Sequence, residues 1–248
     1  MYFYLRAVKK EQVVDFYDAF VEEQSRSGIN DRLYFLHKRM LQFGLKKDSR
    51  VLELGCGIGA MTYLFSKTVT AGCVEAIDMS PASIRFATTR IRKPNVNFHV
   101  ADVVNYKPSG REFDFITLFD VIEHIPIEHH DELFKNISGV CGDQTVILIN
   151  IPSPGSIEYD RIHQPQLLQV IDQPIELGFL NHVLVNNGLE LIFFERCSIW
   201  NEGDYHFFVA RKHSSFSEIS LAGKRNLLQK ALKKIERTWI KRFYKYPQ

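Results

Sequence analysis

Residues 51–60 read VLELGCGIGA: an apolar run carrying one carboxylate, then glycines in alternation. Such a run ends a buried strand, and the glycines let the backbone pass close to a ligand without a Cβ in the way. The helix that follows offers free N–H groups at its start. Three readings compete for the loop: a nucleotide cradle, a structural turn, or the dinucleotide fingerprint G-x-G-x-x-[G/A], which Gly55, Gly57 and Ala60 satisfy. Glu53 weighs against the last. Two residues before the first glycine, a carboxylate repels a pyrophosphate but binds an ammonium.

Working outward from the loop, the chain alternates. RVLEL predicts a first strand and AMTYLFSKT a helix. CVEAID predicts a second strand, and SPASIRFATTRI a helix with Ser80 as cap and Pro81 in its first turn. VNFHVAD, FDFITLFD and TVILINIP predict strands three to five, with a helix over HHDELFKNISGV before the fifth. LELIFFERCSI and YHFFVARK, separated only by WNEGD, predict an antiparallel hairpin. The expected fold is therefore α/β, a doubly wound, mostly parallel sheet of seven strands with an antiparallel C-terminal edge. Residues 11–43 show helical spacing on both sides of SGIND, with Asp31 as the expected cap of the second helix. The expected divisions are an N-terminal helical cap (1–44), an α/β domain (45–213) with a partly helical insertion (152–180), and a linker with a basic helix (214–248).

Ligands of open α/β sheets bind beyond the carboxyl ends of the strands, where the strand order switches. Asp78 ends strand two about 20 residues after the loop, where a carboxylate takes the two hydroxyls of a ribose. Asp102 ends strand three. Taken alone, either residue also fits a local role, Asp78 as a helix cap and Asp102 as a turn aspartate.

Composition restricts the partners. The chain has 248 residues and a net charge of +2. From Lys224 onward, nine Lys/Arg face one acid, a local +8 that leaves −6 for residues 1–223. No apolar run reaches the ~20 residues of a membrane span, and the N-terminus lacks a secretory pattern, so a cytoplasmic location is expected. Cys56, Cys73, Cys141 and Cys197 are far apart, with neither a C-x-x-C pair nor a zinc-type cluster, so free thiols are expected. HIPIEHH suggests a metal, but clear further ligands are missing, so none is expected. In the tail, Leu228, Leu232, Ile235, Trp239 and Phe243 fall on one helical face with Lys and Arg around them. Such a helix can pack on the acidic body, pair with a second copy in a homodimer, or lie peripherally on an anionic membrane.

VLELGCGIGAMT, VEAIDMSP, VADV and FDFITLFDVIEHIP, in this order and at these intervals, resemble class I S-adenosylmethionine-dependent methyltransferases. The nearest likeness is to the branch of ubiquinone-biosynthesis, sugar and polyketide enzymes, over about residues 45–213. The resemblance implies a Rossmann-like domain that binds S-adenosyl-L-methionine and methylates a small molecule or a glycan or lipid precursor, at oxygen. It implies that Glu53 and the Gly55–Cys56–Gly57 backbone hold the methionine part, with Phe119 alongside. Asp78 would take the ribose, with Met79 on the adenine; Asp102 and the Val103 N–H would take the adenine edge. His124 is the expected base, since an imidazole titrates near the working pH; Glu123 and Asp120 are alternatives. Tyr159, Arg161 and His163 are expected to touch the acceptor, and Tyr17 and Arg26 to close the other side. Enzymes of the family that methylate amino groups of nucleic-acid bases carry Asn/Asp-Pro-Pro-aromatic after strand four. Here LFDVIEH stands in that place, so a nucleic-acid substrate is not expected. A cofactor-binding scaffold without turnover and an NAD-dependent oxidoreductase remain the alternatives.

Overall fold

Short apolar runs bounded by turn residues become seven strands in the computed structural model, which describes residues 10–108, 112–215 and 226–243. They are β1 (Arg50–Leu54), β2 (Cys73–Asp78), β3 (Val96–Val100), β4 (Phe113–Phe119), β5 (Cys141–Pro152), β6 (Leu189–Cys197) and β7 (Tyr205–Lys212). The sheet order is β3-β2-β1-β4-β5-β7-β6. Strands β1 to β5 pair in parallel, while β7 runs antiparallel to both β5 and β6. The expected hairpin therefore reaches the sheet through its second strand, and β6 is the edge. Burial explains this order. Phe207, Phe208, Val209 and Ala210 of β7 are fully buried, as a central strand requires, whereas Ile192, Phe193 and Phe194 of β6 are exposed.

Helices cover both faces. On one face, Leu133, Phe134 and Ile137 of α5 (His130–Val140) and Leu180, Val183 and Leu184 of α7 (Leu177–Asn186) pack on Ile116, Leu118, Ile147 and Ile149. On the other, Leu33, Leu36 and Met40 of α2 (Asp31–Gln42) and Met61, Leu64 and Phe65 of α3 (Ala60–Thr68) pack on Phe115, Val146, Leu148 and Phe207. Neighbours in β5 thus face opposite layers, and each fully buried Leu, Ile or Phe is worth ~1.5–3 kcal/mol. Of the remaining helices of the body, α1 (Lys10–Ser27) precedes α2, α4 (Pro81–Arg90) follows β2, and α6 (Pro154–His163) follows β5.

Local chemistry sets the boundaries. Ser80 caps α4 as expected, its side chain accepting from the Ser83 amide. The cap of α2 is Asn30, which accepts from the Leu33 amide; Asp31, the expected cap, is the first helical residue. Strand three stops at Val100 and strand four at Phe119, each short of the aspartate expected to end it. All four cysteines are free.

The chain divides into two compact units at His213/Ser214. The helical cap belongs to the same unit as the sheet. In the second unit, α8 (Leu227–Phe243) is a basic helix with Leu228, Leu232, Ile235, Trp239 and Phe243 exposed. The Trp239 and Phe243 rings meet at 4.3 Å. No helix among the described residues is long and apolar enough to cross a membrane. Residues 1–9 and most of the expected linker lie outside the described residues.

Candidate functional site

Strand order reverses between β1, which leads outward to β2 and β3, and β4, which leads to β5. At this switch point, beyond the carboxyl ends of the strands, lies a cavity of about 470 Å³, within the size range of small-molecule sites. Its lining includes Glu53, Gly55, Cys56, Gly57, Asp78, Met79, Asp102, Val103, Phe119 and His124. The structure therefore brings together every residue expected to hold a cofactor, and the expected base with them. It does not bring the expected acceptor contacts. Tyr159 is 55% exposed, with its ring against that of His163, and Arg161 donates to the Asp172 carbonyl at 2.9 Å. These three sit on α6 and none lines the cavity. Arg26 pairs with Glu22 on the exposed side of α1 and also stays outside.

One end of the cavity is made by strand ends. β1 runs out at Leu54, and Gly55 turns with a φ of +77°. A Cβ there would lie 2.4 Å from Val121 Cγ2, so the loop passes this close only as glycine. The Gly55 and Cys56 amides both donate to the Ile77 carbonyl at 2.8 Å, tying the loop to the end of β2. Asp78 Oδ2 accepts from the Gly57 amide at 2.7 Å and Oδ1 from the Ser80 amide at 2.8 Å. Burial pushes Asp78 up, against the pull of the Ser80, Gly57 and Met79 amides.

Glu53 is 4% exposed, and Thr62 Oγ1 donates to its Oε2 at 2.6 Å. Burial pushes its carboxyl up to about 8; the Thr62 hydroxyl works against this and Asp78 adds to it. A cation brought beside Glu53 would ionise it. Gln24 Oε1, buried and without a hydrogen-bond partner, lies 3.2 Å from where a Gly57 Cβ would sit, and also lines the cavity. Among the described residues this end thus offers a buried carboxyl with no cation beside it, an unpaired acceptor and a cradle that a Cβ would fill. A ligand bearing an ammonium and hydroxyls fits these residues.

The other end is assembled from distant segments. Helix α1 lies along the cavity. Back toward the strand ends, its Lys10 Nζ is 2.7 Å from Asp102 Oδ2, and its Asp18 accepts from the Ser80 hydroxyl and the Ala82 amide. Burial pushes Asp102 up, but the Lys10 ammonium and the Val104 amide outweigh it and hold the carboxyl below its usual range. Tyr17 and Phe20 of α1 line the cavity, and the Tyr17 ring lies edge-on to the His124 ring at 6.3 Å. From α2, Arg32 Nη1 reaches Asp120 Oδ2 at 2.8 Å, with its guanidinium over the Tyr205 ring. Asp120 has a φ of +54°, the one positive value off glycine among the described residues. Such strain costs ~1–3 kcal/mol and persists where surroundings enforce it. Here the ion pair and the Asp120 amide bond to the Asn150 carbonyl, 2.8 Å, do so.

His124 is less free than a base in water. Its Nδ1 lies 2.6 Å from the Ile171 carbonyl oxygen and 3.2 Å from Asp172 Oδ1. Burial works to lower its pKa, but Glu123, Asp172 and the Ile171 carbonyl outweigh it, holding the imidazole up to about 9. The expectation of an imidazole near its ordinary pKa is corrected by these neighbours. Glu123 lies just behind, fully buried and pushed up by burial. Gln169 and Ile171 complete the lining from the segment after α6. Arg32, Gln169, Ile171 and Asp172 escape sequence reading because no local motif marks them; only folding carries them to His124 and Asp120. Among the described residues, no group of His, Cys, Asp and Glu is arranged to hold a metal.

A family model described as a methyltransferase domain matches residues 25–206. Malonyl-[acyl-carrier protein] O-methyltransferase 1 of Ilyobacter polytropus is 36% identical over 74 residues, 29% of this chain and 27% of that protein. Ubiquinone biosynthesis O-methyltransferase of Coxiella burnetii is 25% identical over 125 residues, 48% of this chain and 53% of that protein. The matched segments thus span about half or less of these relatives. Magnesium protoporphyrin IX methyltransferase of Synechocystis, crystallised with bound SAH (S-adenosylhomocysteine), superposes with a TM-score of 0.66 at 14% identity. That match covers 83% of this chain and 100% of the other, a likeness of fold. With the family model reaching from the end of α1 into β7, the chain belongs to the methyltransferase domain family.

Proposed function

We propose that the chain is an S-adenosylmethionine-dependent methyltransferase whose acceptor is a small molecule or a glycan or lipid precursor, methylated at oxygen. The observation that carries the reading is Glu53: a buried carboxyl without a neutralising cation, at the strand end beside a glycine turn, in the same cavity as Asp78 and Asp102. Glu53 would hold the ammonium of the methionine part, with the Gly55–Gly57 backbone and Phe119 beside it. Asp78 would take the ribose hydroxyls, Met79 the adenine face, and Asp102 with Val103 the adenine edge. When bound, the cofactor supplies a methyl group already activated on a sulfonium. What remains for the protein is to position the acceptor and remove its proton. His124 takes that proton at Nε2, and a cationic ligand in the cavity lowers the imidazole pKa from its raised value. Tyr17, Arg32, Asp120 and Gln169 replace Tyr159, Arg161 and His163 as acceptor contacts, since they line the cavity. A lipid-linked acceptor would suit a peripheral contact of residues 224–248 with anionic lipid, which the exposed apolar side chains of α8 and the basic residues around them support.

Calorimetry with S-adenosylhomocysteine and with NAD tests the cofactor. Binding of the first and not the second is expected; binding of NAD alone overturns the reading. Phenols, sugar nucleotides and quinone precursors, assayed by S-adenosylhomocysteine release, then identify the acceptor.

A further inference from the structure

We propose that Asp172 is a positioning residue that orients the His124 ring and, together with the Ile171 carbonyl, fixes it as the tautomer with hydrogen on Nδ1. The inference rests on the reading of His124 as the base. A backbone carbonyl can only accept, so the 2.6 Å contact to the Ile171 oxygen places a hydrogen on Nδ1. Asp172 Oδ1, 3.2 Å from the same nitrogen and on a side chain only 10% exposed, shares that hydrogen. The ring is thereby turned so that Nε2 carries the lone pair of the neutral form. Nε2 lies 3.8 Å from Glu123 Oε1, beyond hydrogen-bond reach.

The segment carrying Asp172 is itself fastened. The Gln173 amide donates to the Glu123 carbonyl at 3.0 Å, and Gln173 Nε2 donates to the Ile125 carbonyl at 2.8 Å. The strap is thus bonded to both chain neighbours of His124. Asp172 Oδ2 accepts from the Gln169 amide, and its carbonyl accepts from Arg161. These bonds leave the carboxylate little freedom to turn from the ring, as an orienting group requires. They also give Arg161 a role, at one remove from the cavity.

In the step this serves, the acceptor O–H bond breaks and an Nε2–H bond forms. The positive charge gained by the ring lies beside the Asp172 carboxylate. Among the described residues, the other titratable or charged groups around the ring include Glu123 on its own turn, Asp120 after β4 with Arg32 from α2, and Tyr17 from α1. All of these remain when Asp172 alone is changed.

Nitrogen-15 NMR of the histidine rings in the full chain, saturated with S-adenosylhomocysteine, tests the proposal without the acceptor. In the unchanged protein, above the imidazole pKa, the Nδ1–H tautomer of His124 is expected; the Nε2–H tautomer overturns the proposal. In Asp172→Asn the titration of His124 moves to lower pH by about tenfold or more in proton affinity, the effect of one adjacent carboxylate. An unmoved titration in a variant that still binds S-adenosylhomocysteine normally also overturns it. Should Asp172→Asn fail to fold, the tautomer of the unchanged protein still decides. Full activity in His124→Ala would defeat the base reading alone, leaving the ring geometry to be judged by the spectra.

Discussion

The two ends of the cavity are built in opposite ways. The proposed cofactor end takes Glu53, Gly55, Asp78 and Asp102 from the tips of three parallel strands or the residues just after them, joined by backbone bonds such as those of Gly55 and Cys56 to Ile77. The proposed acceptor end takes Tyr17 from α1, Arg32 from α2, His124 from the turn after β4 and Ile171 from the strap after α6. Its links are side-chain contacts across long sequence separations, among them Arg32 to Asp120 and His124 to Asp172. The first end is a consequence of the sheet. The second can be rebuilt by changing segments the sheet does not need, so one scaffold suits many acceptors.

Paired substitutions give the sharpest test of that division. His124→Ala should lower kcat by about 10²-fold or more while leaving the S-adenosylhomocysteine Kd within about twofold. Asp78→Ala should do the reverse at the binding step, weakening S-adenosylhomocysteine about 100-fold through the loss of charge-assisted bonds worth ~3 kcal/mol. A His124 variant that loses the ligand, or an Asp78 variant that keeps it, would break the comparison.

A smaller, graded effect belongs to Glu53. In the free protein its carboxyl is neutral below about pH 8. Pairing with an ammonium ionises it, so binding should release a proton, and affinity should climb by up to about tenfold per pH unit until about pH 8. Calorimetry in buffers of different ionisation enthalpy counts that proton; zero release would remove Glu53 from the ammonium site. For the unliganded fold the sign is opposite. The native carboxyl holds its proton more tightly than the unfolded one, which titrates near 4.5, so this residue subtracts stability as pH rises from 4.5 to about 8.

Deleting residues 224–248 should have the least effect on the body. S-adenosylhomocysteine affinity is expected to stay unchanged while binding to anionic liposomes is lost. Liposome binding that survives the deletion removes the membrane reading of α8.

Legibility followed the same division. Strand identity, the glycine turn and the strand-end acids could be read from short stretches, because backbone geometry and short apolar runs are local features. The order of the C-terminal hairpin left no trace, since Leu191–Phe194 of β6 and Phe207–Ala210 of β7 are apolar runs of equal length. The cap of α2 was misplaced by one residue, since Asn30 and Asp31 are both capping residues and only backbone angles choose between them. Tyr159, Arg161 and His163 follow β5 as acceptor contacts of this kind should, yet α6 turns them outward and hands the cavity to Gln169 and Ile171.

By itself, the sequence determined a parallel α/β sheet, a turn that only glycine can make, and a carboxyl at the end of the first strand. Each depends on neighbours within a few residues. Tertiary structure alone decided that the Ile171 carbonyl and Asp172 join neighbouring Glu123 in holding the proton of His124, because they come from a segment dozens of residues away that meets the ring only when the chain is folded.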